Sequence, residues 1–441
     1  MSDIVKPRAI SGFPEWLPEQ KIVEERMLRI IVGAFERFGF APIETPAVER
    51  IEVLTAKGVA EKEIYALTRL AAGEGEDPST ELALHFDLTV PLARYVAQHF
   101  GSLTFPFRRY QIQKVWRGER PQAGRFREFY QCDIDIVGNG ELSLLNDAEI
   151  PCVIDVIFRQ MQIGRFVVRI NNRKLLQGII EDHGAGDIPA VLRAIDALEK
   201  IGADKVAGEL EKHMSRGGAS ELLALLGSAP KLDDLDKHQG GPVFAQGLAQ
   251  LREVVDGLIA LGMPEESFAV DVSIARGLDY YTGTVYETRL VDAPEIGSVC
   301  SGGRYDDLAT NYTKQRLPGV GISIGLTRLL SRLFDAGLLM AKEKTPAPVL
   351  VTVMDRERLP EYLRMAAELR GAGIATELFT EPKKLKVQLR YADQKGFRCV
   401  ILAGDQELAA NQVLIKNLAT AEQTTHPRSD LVPAVTRLLR E

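Results

Sequence analysis

FRRYQIQKVWRGERPQAGRFREFYQCDIDIV, residues 107–137, is the stretch whose reading decides the fold. Residues 115–117 and 129–137 are rich in aromatic and β-branched side chains, which predicts two strands, and 118–124 carries the Pro and Gly of a loop, so the whole is a long hairpin. On the second strand the period of two places Tyr130, Cys132, Ile134 and Ile136 on one face and Phe129, Gln131, Asp133 and Asp135 on the other. One face can pack; the other presents two carboxylates, an amide and an aromatic ring. Arg117 ends the first strand, and Glu119, Arg120, Arg125 and Arg127 stud the loop. Guanidinium groups suited to phosphates therefore stand beside acceptors suited to a cationic or hydrogen-bonding ligand. The plain alternative is a surface hairpin with solvated charges.

The frame around the hairpin is that of an ordinary soluble protein. The chain has 441 residues, more than one domain usually takes, with 45% hydrophobic and 26% charged residues. The opening MSDIVKPRAI lacks the apolar core of a signal peptide, and no later run reaches the apolar length of a membrane helix, so a cytoplasmic location is expected. Cys132, Cys152, Cys300 and Cys399 show no CxxC spacing and the six histidines form no ligand cluster, so reduced thiols and no protein-held metal are expected. The net charge of −7 is unevenly spread: from Lys344 onward 15 Lys and Arg face 12 Asp and Glu, against 39 and 49 in the remainder. A mildly basic tail on an acidic body is compatible with RNA contact at the tail.

Ahead of the hairpin, residues 19–38 carry Ile22, Ile30, Ile31, Ala34, Phe35 and Phe38 on one side of a predicted helix that Gly39 stops, followed by the Pro-bounded strand of GFAPIETP. AAGEGEDPST, 71–80, has the composition of a loop. In LALHFDLTVPLAR, 82–94, Asp87 and Thr89 share strand parity before Pro91, and on their own read as caps for a helix starting near residue 90. Behind the hairpin, 142–161 reads as a helix and 166–170 as a strand. The stretch 175–262 then changes to amphipathic helices, as in IPAVLRAIDALEKIG and GLAQLREVVDGLIALG, separated by SRGGAS and DKHQGGP.

Strand alternation returns in Val270, Val272 and Ile274 and leads into RGLDYYTG, 276–283; read alone, this is a hairpin with Arg276 paired to Asp279. GGRYDDL follows at 302–308. In LPGVGISIGLTRLL, 317–330, the glycines at 319, 321 and 325 are spaced GxGxxxG, which fails the dinucleotide fingerprint and reads as a strand. A helix follows with Arg328 in its first turn, where an anion is favoured. AKEKTPAP, 341–348, reads as a linker. Beyond it, strands at 349–353, 375–379 and 399–403 alternate with helices at 360–371 and 383–395, the second keeping Leu385, Leu389 and Ala392 on its apolar face and Lys383, Lys386 and Arg390 exposed.

RGERPQAGRFREFYQCDID resembles the second signature motif of class II aminoacyl-tRNA synthetases in the form found in histidyl-tRNA synthetases. GFAPIETP resembles the first class II motif and LPGVGISIGLTRLL the third, while RGLDYYTG and GGRYDDL resemble the two histidine-specific signatures. The resemblance spans nearly the whole chain. It implies an α+β fold: a class II antiparallel-sheet core with helices in two parts, 1–174 and 263–342, a helical insertion at 175–262, and a carboxy-terminal α/β anticodon-binding domain at 343–441. A homodimer is implied, with L-histidine, ATP and tRNA(His) as substrates. In the implied reaction histidine attacks the α-phosphorus of ATP to give histidyl-adenylate and pyrophosphate, and the histidyl group then passes to the terminal ribose of the tRNA.

Carried across by motif, Arg117 holds the α-phosphate opposite Arg276, the two forming the catalytic pair; Glu119 and Phe129 hold the adenine and Arg328 the γ-phosphate. Asp87, Leu88, Thr89 and Gln131 form the α-amino subsite, Asp135 and Tyr281 meet the imidazole, and Tyr280, Gly302 and Gly303 complete the histidine pocket. Arg120, Arg125, Lys383, Lys386 and Arg390 are candidate tRNA contacts. Mg2+ is implied as the partner of ATP phosphates, and zinc is not. His85 departs from the pattern, standing where family members commonly carry arginine two positions before the acid. Two rivals come from other classes. The non-catalytic regulatory subunit of ATP phosphoribosyltransferase in histidine biosynthesis characteristically lacks the anticodon domain and much of the catalytic set, both of which stand here. A tRNA sensor fused to a kinase would bring a Gly-rich loop and an HRD segment that this chain does not carry.

Overall fold

Gly, Ser and Gly alternate with Val and Ile along residues 319–325, and that alternation decides which side of the central sheet is a core and which is a cavity. The computed structural model describes residues 4–56, 63–69, 81–120, 124–275, 281–306, 309–381 and 383–440. The described residues of 1–14 and 29–339 form one compact unit, and those of 15–28 and 340–441 a second.

The strands of the first unit are β1 (Ala41–Pro42), the two-stranded pair β2 (Val48–Arg50) and β3 (Leu82–Leu84), then β4 (Phe107–Trp116), β5 (Glu128–Val137), β6 (Phe166–Asn172), β7 (Phe268–Val270), β8 (Thr284–Leu290), β9 (Ser298–Tyr305) and β10 (Gly319–Gly325). Among the described residues, eight of them form one sheet in the order β1-β4-β5-β10-β9-β8-β6-β7. It is antiparallel except at its edges, where β1 with β4 and β6 with β7 run parallel. The hairpin is longer than its aromatic content predicts, because β4 pairs with β5 along its whole length from Phe107↔Val137 to Trp116↔Glu128.

Register lays residues in rows across the cavity face. Arg109, Asp135, Gly321, Gly303 and Val285 stand side by side, and in the next row Gln111, Asp133, Ser323, Ser301 and Glu287. On the opposite face Cys132, Ile134, Ile136, Val320, Ile322 and Ile324 are buried in the core. Burying such alternating apolar side chains under helices supplies most of the favourable free energy of this layer.

The helices of this unit are α1 (Pro18–Arg37), α2 (Ile51–Thr55), α3 (Thr89–His99), α4 (Leu145–Met161), α5 (Arg173–Asp182), α6 (Ile188–Asp196), α7 (Leu198–Ile201), α8 (Ala203–Leu210), α9 (Arg216–Gly227), α10 (Leu232–Leu235), α11 (Pro242–Ala260) and α12 (Leu326–Asp335), the first turns of α1 belonging to the second unit. Gly39 ends the α1 region at φ +76°, as its position predicts. Helix α4 packs on β10 and α12 on β5. The helical stretch is fixed by side-chain caps: Asn172 accepts from the backbone of Lys174 and Leu175 at the start of α5, Asp187 from Ala190 at α6, and Ser215 from Gly218 at α9. Helices α5 and α11 cross almost backbone to backbone, since a Cβ on Gly247 would lie 2.1 Å from the Leu175 nitrogen.

The second unit has a five-stranded sheet of β11 (Val349–Val351), β12 (Thr376–Leu378), β13 (Cys399–Leu402), β14 (Gln412–Asn417) and β15 (Gln423–Pro427), in the order β12-β11-β13-β14-β15. The first three are mutually parallel, as α/β alternation predicts, and β14 and β15 are added antiparallel. Helices α13 (Leu359–Gly371), α14 (Leu385–Lys395), α15 (Asp405–Ala409) and α16 (Leu431–Arg440) complete it. Tyr362, Leu369, Leu431 and Val435 share one buried cluster, and Ala392 and Phe397 another. Helix α14 starts at Leu385, so Lys383 precedes it. Buried Gln388 on α14 binds both backbone groups of Val353, accepting from its N–H at 3.0 Å and donating to its carbonyl at 2.7 Å.

Candidate active site

The polar face of the first sheet floors a cavity of about 610 Å³. The period of two on β5 delivers Phe129, Gln131, Asp133 and Asp135 to it, and the small residues of β10 leave room above them. Gly321 is required there: a Cβ at that position would lie 2.1 Å from Asp135 Oδ1. Asp87 and Thr89 enter from the start of α3, Arg117 and Glu119 from the hairpin, and Arg328 from the first turn of α12.

Asp87 does not lie in a strand, as its parity with Thr89 suggested, but in the turn before α3. Its Oδ1 accepts from the Val90 N–H at 3.1 Å, so it caps the helix, while its Oδ2 is buried and without a hydrogen-bond partner among the described residues. One oxygen serves the capping reading, and the other stays open toward the cavity that Asp87 lines.

The floor holds three carboxylates around one fully buried guanidinium. Arg109 Nη2 lies 2.5 Å from Asp135 Oδ2, and the Tyr305 hydroxyl donates to Asp135 Oδ1 at 2.7 Å. Gln131 donates to the Ser323 hydroxyl at 2.8 Å, and Ser323 in turn bonds Asp133. Burial pushes the Asp133 carboxyl up to about 7, against the pull of Arg109 and Ser323, and neighbouring Asp135 and Asp87 push it further. Burial likewise raises Asp87 to about 6, with the Val90 N–H, Arg117 and Arg109 opposing. Asp135 is raised by burial and held back by Arg109 and Tyr305.

At the other end Arg117 donates from Nε to the Phe86 carbonyl at 3.0 Å and places its guanidinium 5.1 Å over the Phe129 ring. Arg125 is paired with Glu119 across the loop, and Arg328 Nη2 lies 3.4 Å from the Ile296 carbonyl. Cations and a flat ring at one end, and acceptors at the other, suit a phosphorylated nucleotide and an amine.

Tyr281 and Gly302 also line the cavity, whereas Gly303 makes room for Tyr281, whose Cδ1 would stand 2.9 Å from a Cβ there. Leu88 is wholly buried, and its side chain is not among those lining the cavity. Arg120, Lys383, Lys386 and Arg390 are exposed, the last three in the second unit. Arg276 and Tyr280 lie outside the described residues; the segment leading to them is clamped, with Asn171 donating to the carbonyls of Val272 and Ile274 at 3.1 and 3.0 Å. His85 does not line the cavity: it is buried, its Nε2 2.7 Å from the Lys114 carbonyl and its ring 5.5 Å from that of Trp116.

Sequence reasoning assigned no role to Arg109, Tyr305, Ser323 or Lys200, all now in or beside the cavity. Lys200 comes from α7, whose Glu199 pairs with Arg169 on β6 at 3.2 Å, so the helical stretch borders the site. Asp133 was visible, since the alternation of the hairpin puts it on the polar face.

A mainly antiparallel sheet whose long hairpin floors a cavity, closed by a strand and helix that present an arginine, defines a class II aminoacyl-tRNA synthetase core. A family model described as histidyl-tRNA synthetase matches residues 12–329, and one described as anticodon binding domain matches 348–438. The chain belongs to the histidyl-tRNA synthetase family. A histidine–tRNA ligase of Xanthomonas oryzae is 48% identical over 455 residues, covering 97% of each chain. A crystal structure of histidyl-tRNA synthetase from Nostoc sp. superposes with a TM-score of 0.90 at 43% identity, covering 98% of this chain and 100% of that one. A Bacillus halodurans structure, titled an ATP phosphoribosyltransferase regulatory subunit/histidyl-tRNA synthetase, shares the fold alone, with a TM-score of 0.71 at 21% identity over 88% of this chain and 97% of that one.

Proposed function

We infer that the chain ligates histidine to tRNA(His), first forming histidyl-adenylate from histidine and ATP and then transferring the histidyl group to the 3′ end of the tRNA. The observation that carries this reading is the two-ended cavity in a chain matched along its length by a histidine–tRNA ligase. Catalysis of the first step is positioning and charge neutralisation at the α-phosphorus. Arg117, held by the Phe86 carbonyl, is set to meet the α-phosphate, with adenine against Phe129 and Glu119 and the terminal phosphate toward Arg328. Mg2+ enters on the phosphates of ATP, as part of that substrate. Asp87, Thr89 and Gln131 take the α-amino group and Asp135 and Tyr281 the imidazole. A role for Arg276 opposite Arg117 rests on its motif.

The carboxy-terminal unit is proposed to bind the anticodon through exposed Lys383, Lys386 and Arg390, and the chain to work as a homodimer in the cytoplasm, where its substrates meet. A regulatory subunit without catalysis fits less well, because the arginine-rich and acceptor-rich ends are both present. Pyrophosphate exchange with each amino acid in turn tests the reading. Exchange with histidine alone is expected; none with histidine, or equal exchange with several amino acids, overturns it.

A further inference from the structure

Asp87 Oδ2, Gln131 Oε1 and Asp133 Oδ1, three buried oxygens on side chains that line the cavity, have no hydrogen-bond partner among the described residues, and Gln111 Oε1, outside that lining, is another. Asp87 and Asp133 are each 2% exposed and Gln131 8%, and all three side chains line the one cavity. Among the protein's own donors nearby, Arg109 Nε and Nη1 are buried and hydrogen-bond none of these oxygens, and the others are engaged. The Val90 N–H goes to the other oxygen of Asp87, the Tyr305 hydroxyl and Arg109 Nη2 go to Asp135, and Gln131 turns its own NH2 to Ser323. Buried acceptors are nearly always satisfied, so three left open together mark a place where a ligand supplies the donors. An ammonium group has three donors and no acceptor.

We propose that Asp133 is a histidine-binding residue, forming with Asp87 and Gln131 a three-oxygen seat for the α-ammonium group of the substrate. The proposal rests on the reading of the cavity as the histidine site and adds to it a carboxylate that no motif assigned. Charge points the same way once Asp133 is ionised: Asp87, Asp133 and Asp135 then outnumber Arg109 and the Arg117 beside Asp87, so the floor favours a cation. Asp135, whose two oxygens are met by Arg109 and Tyr305, keeps only the imidazole role that its motif implies.

A proton is coupled to this seat. Facing Asp133 are Arg109 from β4, Asp135 from its own strand, Ser323 from β10, Cys300 from β9, and Asp87 with Arg117 beside it. In the empty floor Asp133 holds its proton up to about pH 7; an ammonium favours the ionised form, so binding expels the proton.

The test compares histidine with imidazolepropionate, which lacks only the amino group, and with histamine, which keeps it. In Asp133→Asn the KM for histidine in pyrophosphate exchange rises about 10- to 100-fold, as expected for loss of a bond to a charged group, while the KM for ATP changes less than about twofold. Inhibition by histamine weakens in step with histidine, and inhibition by imidazolepropionate does not. Equal losses for histidine and imidazolepropionate, or an unchanged histidine KM, overturn the seat. Calorimetry of the unmodified protein in buffers of different ionisation enthalpy reads the same point without a variant. Near pH 7, where histidine's own ring is largely neutral and its amino group charged, histidine releases on the order of half a proton from the floor, and no release counts against the proposal. Absence of histidine-dependent exchange in the unmodified protein would instead remove the histidine reading itself.

Discussion

The two faces of the central sheet each bury carboxylates beside an arginine, and they differ in one respect. On the helix side Asp147 of α4 is saturated: Arg304 Nη2 lies 2.5 Å from Oδ2, and Arg304 Nε and the Thr284 hydroxyl donate to Oδ1 at 3.0 and 2.7 Å. Arg304 also donates to the carbonyls of Leu142 and Ser143, each at 3.1 Å, and the Tyr286 hydroxyl to the Asp147 carbonyl at 2.7 Å. On the cavity side Arg109 reaches Asp135 alone, and oxygens of Asp87, Gln131 and Asp133 remain open. Residue types and depth of burial are the same. Completeness of hydrogen bonding separates these two clusters, and Arg304, though it lies in the GGRYDD motif, is held as a structural residue is.

Breaking the closed cluster should have the largest effect. Asp147→Ala strands the Arg304 guanidinium in the interior and should destabilise the first unit by about 3–5 kcal/mol, read as a shift in its denaturant unfolding midpoint. Activity lost with one substrate while the midpoint stays put would make Asp147 part of the site after all. Next comes the cationic end. Arg117→Ala should slow adenylate formation by roughly 100- to 1000-fold in a rapid-quench experiment, with the KM for histidine little changed. A loss seen only in that KM would move Arg117 to the amino-acid end.

The open cluster should respond in the opposite sense to the closed one when the ligand is absent. The pKa of Asp133, about 7, stands above that of an unfolded aspartate, so the folded state keeps a proton that the unfolded state gives up. Stability from this group is complete below about pH 4 and is lost as pH rises through about 7. Asp133→Asn removes that loss and should stabilise the ligand-free unit on the order of 1–3 kcal/mol at pH 8 and hardly at all at pH 4. Thermal unfolding at the two pH values decides it, and destabilisation at both would class Asp133 with Asp147. The smallest effect touches neither cluster. Replacing Lys383, Lys386 and Arg390 by Ala should leave histidine activation intact and flatten the salt dependence of tRNA binding by about one logarithmic unit of slope per lost phosphate contact. An unchanged slope would remove these side chains from the RNA surface.

Local pattern made one face of this site legible and left the other obscure. The period of two in EFYQCDIDIV sorts Gln131, Asp133 and Asp135 from Cys132, Ile134 and Ile136, and the structure keeps that sorting. Arg109 could not be read in the same way. In FRRYQIQK it looks like one of several surface cations, and it is buried only because register sets it opposite Asp135. Tyr305 is 170 residues from the carboxylate it bonds. In the second unit the apolar strands declared themselves, whereas β15, QTTHP, has no apolar alternation and exists because the edge of β14 is there to pair with. Asp87 misled by parity, since a short DLT segment looks alike in a strand and in a helix-capping turn.

For anyone rebuilding the pocket to accept a different amino acid, Gly321 sets a boundary. Every other residue would put a Cβ within 2.1 Å of Asp135 Oδ1 and 2.5 Å of the Ile134 carbonyl, and at Gly319 within 2.3 Å of the Tyr305 ring. A saturation library at these two positions would return mostly inactive clones and, mistakenly, a picture of substrate contact where there is only crowding. Diversity belongs at 131, 133 and 323, where side chains already face the cavity and a change of chemistry need not displace a strand.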